Sequence, residues 1–108
     1  MATREIGGIF VRDMNLGKKG EIIKGHAHAF DHCSMCVYGI ARIDPCDLEE
    51  GIWVPKPERG AIYAAPQHAQ TIEQVAWANI PKGVAHQITC LMDGTYFWCV
   101  YPRDKVAG

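Results

Sequence analysis

No stretch of this sequence is long or apolar enough to span a bilayer as a helix. The longest uncharged run, Gly60 to Ile72, is thirteen residues and carries Pro66, Gln67, His68, Gln70 and Thr71; a spanning helix needs about 20 apolar residues. The segment Met1-Ala2-Thr3-Arg4-Glu5 lacks the apolar run of a secretory signal, so no membrane partner and a cytoplasmic location are expected. Excess charge is also missing. Eleven Lys and Arg stand against twelve Asp and Glu, and Lys18-Lys19 is the one adjacent basic pair. A sequence-independent nucleic-acid binder needs a net basic surface to displace counterions, so no nucleic-acid partner is expected. There is no GxSxG elbow, no phosphate-cradling Gly-rich loop and no HExxH helix.

What is present suits one globular domain over residues 1–108. Hydrophobic residues make up 48% and charged residues 21% of 108 residues, near globular averages. A chain of this length buries roughly two-thirds of its unfolded surface without needing disulfide staples. Five cysteines and no signal suggest reduced thiols. Cys33 and Cys36 form a CxxC pair, but no second pair completes a zinc ribbon. The neighbouring Val37-Tyr38 favours a strand, where residues three apart point to opposite faces. Small buried hydrophobes are the preferred reading of these thiols.

Gly and Pro interrupt the chain about every ten residues, and short β-branched and aromatic runs lie between them, a pattern of all-β sandwiches and barrels. The strands expected are Glu5–Arg12, Glu21–His28, Cys33–Ile43, Gly51–Val54, Ala61–Ala65, Thr71–Asn79, Val84–Cys90 and Thr95–Tyr101. Asp44 to Pro57, with three prolines and four acidic residues, reads as a solvated loop.

The histidines carry most of the chemical information. His26 and His28 sit two apart in an expected strand, which puts both imidazoles on one face roughly 6–7 Å apart, close enough to converge on one ion. His32 follows after Ala29-Phe30-Asp31, and His86 follows the turn Pro81-Lys82-Gly83. His68, in Gln67-His68-Ala69-Gln70, reads as a loop residue.

The spacing Gly20-x5-His26-x-His28-x3-His32-x6-Gly39, followed by Pro81-x-Gly83-x2-His86, resembles the two signature motifs of the cupin superfamily. The first motif keeps every spacing, but His32 stands where the family has Glu. In the second, Val75 replaces the opening Gly and Cys90 the closing Asn. The resemblance implies a cupin-type double-stranded β-helix, a jelly-roll barrel. It also implies one divalent transition metal, held here by His26, His28, His32 and His86. Asp31, one position from the family's Glu, is the alternative carboxylate ligand.

Four imidazoles leave a divalent ion its full double charge, which makes a strong Lewis acid and a receptor for anions, and favours the divalent over the trivalent state. Imidazole suits iron, nickel, copper and zinc alike, and manganese stays among the candidates. Two open positions on a six-coordinate ion suit a bidentate substrate, or one substrate atom plus dioxygen. Iron-dependent, dioxygenase-type oxidation of a small organic substrate is the leading expectation. A non-redox isomerase, epimerase or lyase, or a non-catalytic small-molecule- or metal-binding cupin, are the alternatives. Strand parity adds Cys36, Ile88 and Cys90 as candidate pocket wall and Tyr38 as candidate acid/base. Either Phe97 and Cys99 or Tyr96 and Trp98 face inward. The resemblance, and the exposed edges of a small sandwich, imply a homodimer.

Overall fold

In a computed structural model the described residues are 3–15, 17–25, 27, 31–69 and 76–102. They form ten strands: β1 Thr3–Ile6, β2 Ile9–Asn15, β3 Ile22–Ile23, β4 His32–Tyr38, β5 Ile40–Glu49, β6 Ile52–Pro55, β7 Ala61–Ala64, β8 Trp77–Ile80, β9 Ala85–Cys90 and β10 Tyr96–Pro102. Two single 3-10 turns, Pro57–Arg59 and Pro66–His68, are the helical elements among them. One sheet has the order β1-β2-β10-β4-β8, and the other β3-β9-β5-β6 with β7 also on β5. All these pairings are antiparallel. Two such sheets enclosing one core form the expected jelly roll.

The glycines explain where the strands break. Gly7 and Gly8 have φ of 55° and 82°, and these positive angles are those of a tight hairpin turn. The single strand expected over Glu5–Arg12 is therefore two, β1 and β2. Gly39, at φ 89°, divides the expected Cys33–Ile43 into β4 and β5, one in each sheet. No side chain fits there, because a Cβ on Gly39 would strike the hydroxyl of Thr95. Thr95 Oγ1 also accepts the Ile40 N–H at 3.3 Å and lies 3.1 Å from the Ile40 carbonyl, clamping the crossing.

The loop expected over Asp44 to Pro57 is instead mostly paired. β5 runs on to Glu49 and turns at Glu50-Gly51 (φ 51° and 79°) into β6. Pro45 sits inside β5, opposite His86. Asp44 is only 4% exposed. It receives the Arg42 Nε–H at 2.8 Å and is covered by Gly60, where any side chain would collide with its carboxylate. Two of the other three acids pair at the surface, Glu49 with Lys56 and Asp47 with Arg59, and Glu50 stands exposed in the turn. Thus three of the four acids have cation partners on paired strands or the turn beside them, rather than lying in a solvated loop.

The core is built from small side chains. Cys36, Ala41, Ala65, Ala85 and Cys90 are fully buried, and Phe97 is the largest side chain with no exposure. Burying such a ring contributes about 1.5–3 kcal/mol. Phe97, Cys36, Ala41, Ile43, Cys90 and Ala65 pack into one cluster between the sheets. It fills the Gly39 end of the sandwich and leaves the other end for polar groups.

Candidate metal and substrate cavity

A cavity of about 60 Å³ opens between the sheets. At about 10–15 Å³ of such volume per water, it holds a few waters or a very small ligand. Its wall draws on both sheets. Arg12 and Met14 come from β2, His32 and Ser34 from β4, Ile80 from β8, and Cys99 and Tyr101 from β10. Ile23 of β3 and His86 and Ile88 of β9 come from the facing sheet, with Lys24 and Gly25 beside them.

Alternation along each strand produces this arrangement. On β9, His86, Ile88 and Cys90 share the inner face, the first two at the cavity and Cys90 in the core cluster. On β4, His32 and Ser34 line the cavity while Cys36 lies in the core. On β10, Phe97, Cys99 and Tyr101 face inward, which resolves the parity that the sequence left open.

Two short-range devices position His86. The turn before it closes with Val84 N–H on the Pro81 carbonyl at 3.3 Å, and Gly83 supplies the positive φ of 79°. Asp31 Oδ1 accepts the Lys82 N–H at 2.7 Å, which ties this turn to the start of β4 and so to His32. Asp31 itself is exposed, and its described partner is that backbone amide. The second device is Gly25. A Cβ there would overlap the carbonyl of His86, so the backbone before residue 26 lies directly on the His86 peptide.

His86 has the chemistry of a metal ligand. Its Nδ1 lies 3.2 Å from the Val84 carbonyl. A carbonyl only accepts, so Nδ1 carries the proton and Nε2 keeps its lone pair. Burial pushes the His86 pKa below its ordinary value, against a weaker opposing effect of the Val84 hydrogen bond. A neutral imidazole with its second nitrogen tied to a carbonyl is the form that transition metals bind. The donor set therefore suits an imidazole-bound divalent ion. His26 and His28 lie outside the described residues, as does Val75. Among the described residues no three His, Cys, Asp or Glu side chains cluster as a metal group.

Three sequence candidates stand away from the cavity. Cys36 and Cys90 are fully buried in the core cluster. Burial pushes the Cys36 thiol up to about 11, and it donates to the Gly39 carbonyl at 3.3 Å. Tyr38 is 43% exposed. Parity placed it inward on the assumption of an unbroken strand, but the register slips opposite it. Cys36 pairs with Phe97, yet Tyr38 pairs with Tyr96, so Val37 is the extra residue of a bulge. The bulge turns Tyr38 to the outer face, where its ring meets His68 edge-on at 4.5 Å. His68 lies in the Pro66–His68 turn, with that ring as its neighbour rather than the cavity. All five cysteines are free.

Arg12 and Met14 are cavity residues that the sequence reading does not single out; Cys99, which Met14 touches, is one of its two alternatives for the inner face of the last strand. The signal was present as the two-residue alternation of Phe10, Arg12 and Met14. It was obscured by Ile9 and Val11, which give the opposite face an equally apolar look.

No family model matches this sequence, and no curated protein does. Solved structures do match it. A Neisseria meningitidis protein aligns over 94% of this chain and 80% of its own, with a TM-score of 0.61 at 17% identity. A cupin-2 domain containing protein from Shewanella frigidimarina aligns over the same shares, with a TM-score of 0.58 at 17% identity. A variant of Bacillus subtilis oxalate decarboxylase matches 88% of this chain at a TM-score of 0.61 and 22% identity, but only 21% of that longer chain. At such identities the likeness is one of fold. Sheet order and these neighbours together show that the chain has a cupin-like fold, a β jelly roll.

Proposed function

We propose that this chain is a metal-dependent enzyme acting on a small organic substrate in the cavity between its sheets. One observation carries the reading: His32 from one sheet and His86 from the other line the same cavity. Two imidazoles facing a common space from opposite sheets are an uncommon use of histidine beside a core rich in Ala, Cys and Ile. The proposed ligand set is His26, His28, His32 and His86, the first two on the strength of the sequence spacing. When bound, such an ion supplies Lewis acidity and, if it is iron, oxidative chemistry with dioxygen. The chain's own part is to hold and shield. The Val84 carbonyl fixes the His86 tautomer, Asp31 fixes the turn before it, and Ile23, Ile80 and Ile88 keep the space apolar. An iron-dependent, oxygenase-type reaction is the leading version.

A second version, non-redox isomerase, epimerase or lyase chemistry, is favoured by one feature of the wall. Met14 and Cys99 place a thioether and a thiol at the cavity, in contact with each other. Burial raises the Cys99 pKa and holds it as the less reactive thiol, but a thioether has no such protection from oxidants. Sulfur at the reaction space suits a Lewis-acid reaction better than one that handles dioxygen.

The test is metal content by mass spectrometry on untagged protein, beside a His26→Ala/His86→Ala double variant. About one equivalent of metal per chain, lost in the variant, is expected for a single site. Absence of metal after anaerobic reconstitution would end both versions. Oxygen consumption during turnover then separates them.

A homodimer is proposed as well. Ile22, Thr89, Arg42 and Ile62 lie in one cross-strand row on the outer face of the β3-β9-β5 sheet. Ile22 is 53% and Ile62 39% exposed. The two isoleucines stand at the ends of the row, with Thr89 and Arg42 between them, and a second copy would cover both.

A further inference from the structure

Arg12 is the unexplained charge of the cavity. It stands on β2 opposite Cys99 of β10 and lines the same space as His32 and His86. Its Nε is fully buried and has no hydrogen-bond partner among the described residues. The described ion pairs join Arg42 to Asp44, Lys56 to Glu49 and Arg59 to Asp47; none includes Arg12. The described cavity wall contains two permanent cations, Arg12 and the exposed Lys24, and no carboxylate. Nor does the neighbouring thiol serve as counter-ion. Cys99 is held protonated by burial, which outweighs the lowering effects of Ser34 and Arg12. A buried guanidinium nitrogen without an acceptor is costly, and such a cost persists where a ligand relieves it.

We propose that Arg12 is the anion-binding residue of this cavity, and that the substrate is a small carboxylate. A guanidinium presents a planar fork of donors that matches the two oxygens of a carboxylate. A second oxygen on the carbon next to the carboxylate would then face the histidines. The cavity, about 60 Å³, favours short acids. The inference rests on reading this cavity as the substrate site, and it names a specificity-determining residue for it.

The probe is glycolate, compared with glycolamide, its uncharged counterpart with the same number of non-hydrogen atoms. Binding is measured by calorimetry or saturation-transfer NMR on the full chain, metal-loaded and chelator-treated, with metal content read in parallel. Wild type should bind glycolate at least about tenfold more tightly than glycolamide, as expected for a charge-assisted contact. Arg12→Met should erase that preference while leaving metal content unchanged, and Arg12→Lys should keep part of it. Equal binding of acid and amide, no binding of glycolate, or an unchanged preference in Arg12→Met would each overturn the inference. Retained, histidine-dependent metal would then show that the metal reading survives its failure. A preference that depends on Arg12 in a chain that binds no metal would support the inference and remove the metal reading instead. If Arg12→Met does not fold, the wild-type comparison and Arg12→Lys decide the question.

Discussion

Gly25 and His86 are in backbone contact, with no room between them for a single carbon atom. The residue next in sequence to Gly25 is His26, so this contact joins the two halves of the histidine motif. Replacing Gly25 with Ala must push the two backbones apart. The expected cost is about 1–3 kcal/mol, as for other forced overpacking, with a marked loss of metal affinity. Chemical denaturation and metal titration of Gly25→Ala measure the two effects, and unchanged values for both would contradict the contact.

His32 and His86 should weigh similarly on metal binding if both are ligands. His32→Ala and His86→Ala are each expected to weaken binding by more than the roughly 10–100-fold that loss of an outer-shell partner costs. Competition with a chromophoric chelator gives the affinities. A large effect from His86→Ala and none from His32→Ala would leave a three-histidine site, with one more position open to substrate.

The metal-free chain should lose stability as pH falls from neutrality. Burial lowers the His86 pKa in the folded chain, so below its ordinary value, about 6.5, the unfolded chain binds the proton more readily. The stability that depends on a neutral His86 is therefore present above pH 6.5 and lost as pH falls through the folded value. Thermal melts of apo wild type and His86→Gln between pH 7.5 and 5 test this. The variant should show the shallower dependence, and parallel curves would refute it.

Asp44 is expected to matter for stability and not for the cavity. It is buried on the outer face of β5, with Arg42 as its partner and Gly60 over it. Asp44→Ala strands the Arg42 guanidinium, which is partly open to water, and should cost about 2 kcal/mol, below the range for fully buried pairs. Metal content in the folded fraction should match wild type.

Ile62→Asp should yield a monomer in light scattering while retaining wild-type metal content. The charge would stand in the exposed row with Ile22. A wild-type chain that is already monomeric at micromolar concentration would remove the dimer proposal.

The jelly-roll class was legible because turn residues and apolar runs alternate at strand length. The inner face of β9 was legible because nothing interrupts His86, Ile88 and Cys90. Single-residue events were not. Period-two reasoning cannot detect the bulge at Val37, which sends Tyr38 outward. Three prolines and four acids between Asp44 and Pro57 resemble a loop until strand pairing brings Arg42, Lys56 and Arg59 against three of the acids. Gly7-Gly8 falls within the expected strand Glu5–Arg12, and two adjacent positive-φ residues are enough to reverse it. Arg12 was hidden because an arginine on a strand is expected to face water.

The crossing at Gly39 also has a mechanical consequence. β4 leaves one sheet and β5 begins the other with a single residue between them, and Thr95 is fastened at that point. His32 is seven positions away along β4, a distance of roughly 20 Å at strand rise. A second crossing, the Pro81–Val84 turn from β8 to β9, joins the sheets at the far end, where Asp31 braces it. The sandwich is thus hinged at both ends, by one residue at Gly39 and by four at the other. A ligand between His32 and His86 would tighten the longer joint, so amide exchange near Ala85 and Cys33 should slow on loading while that near Ile40 stays constant.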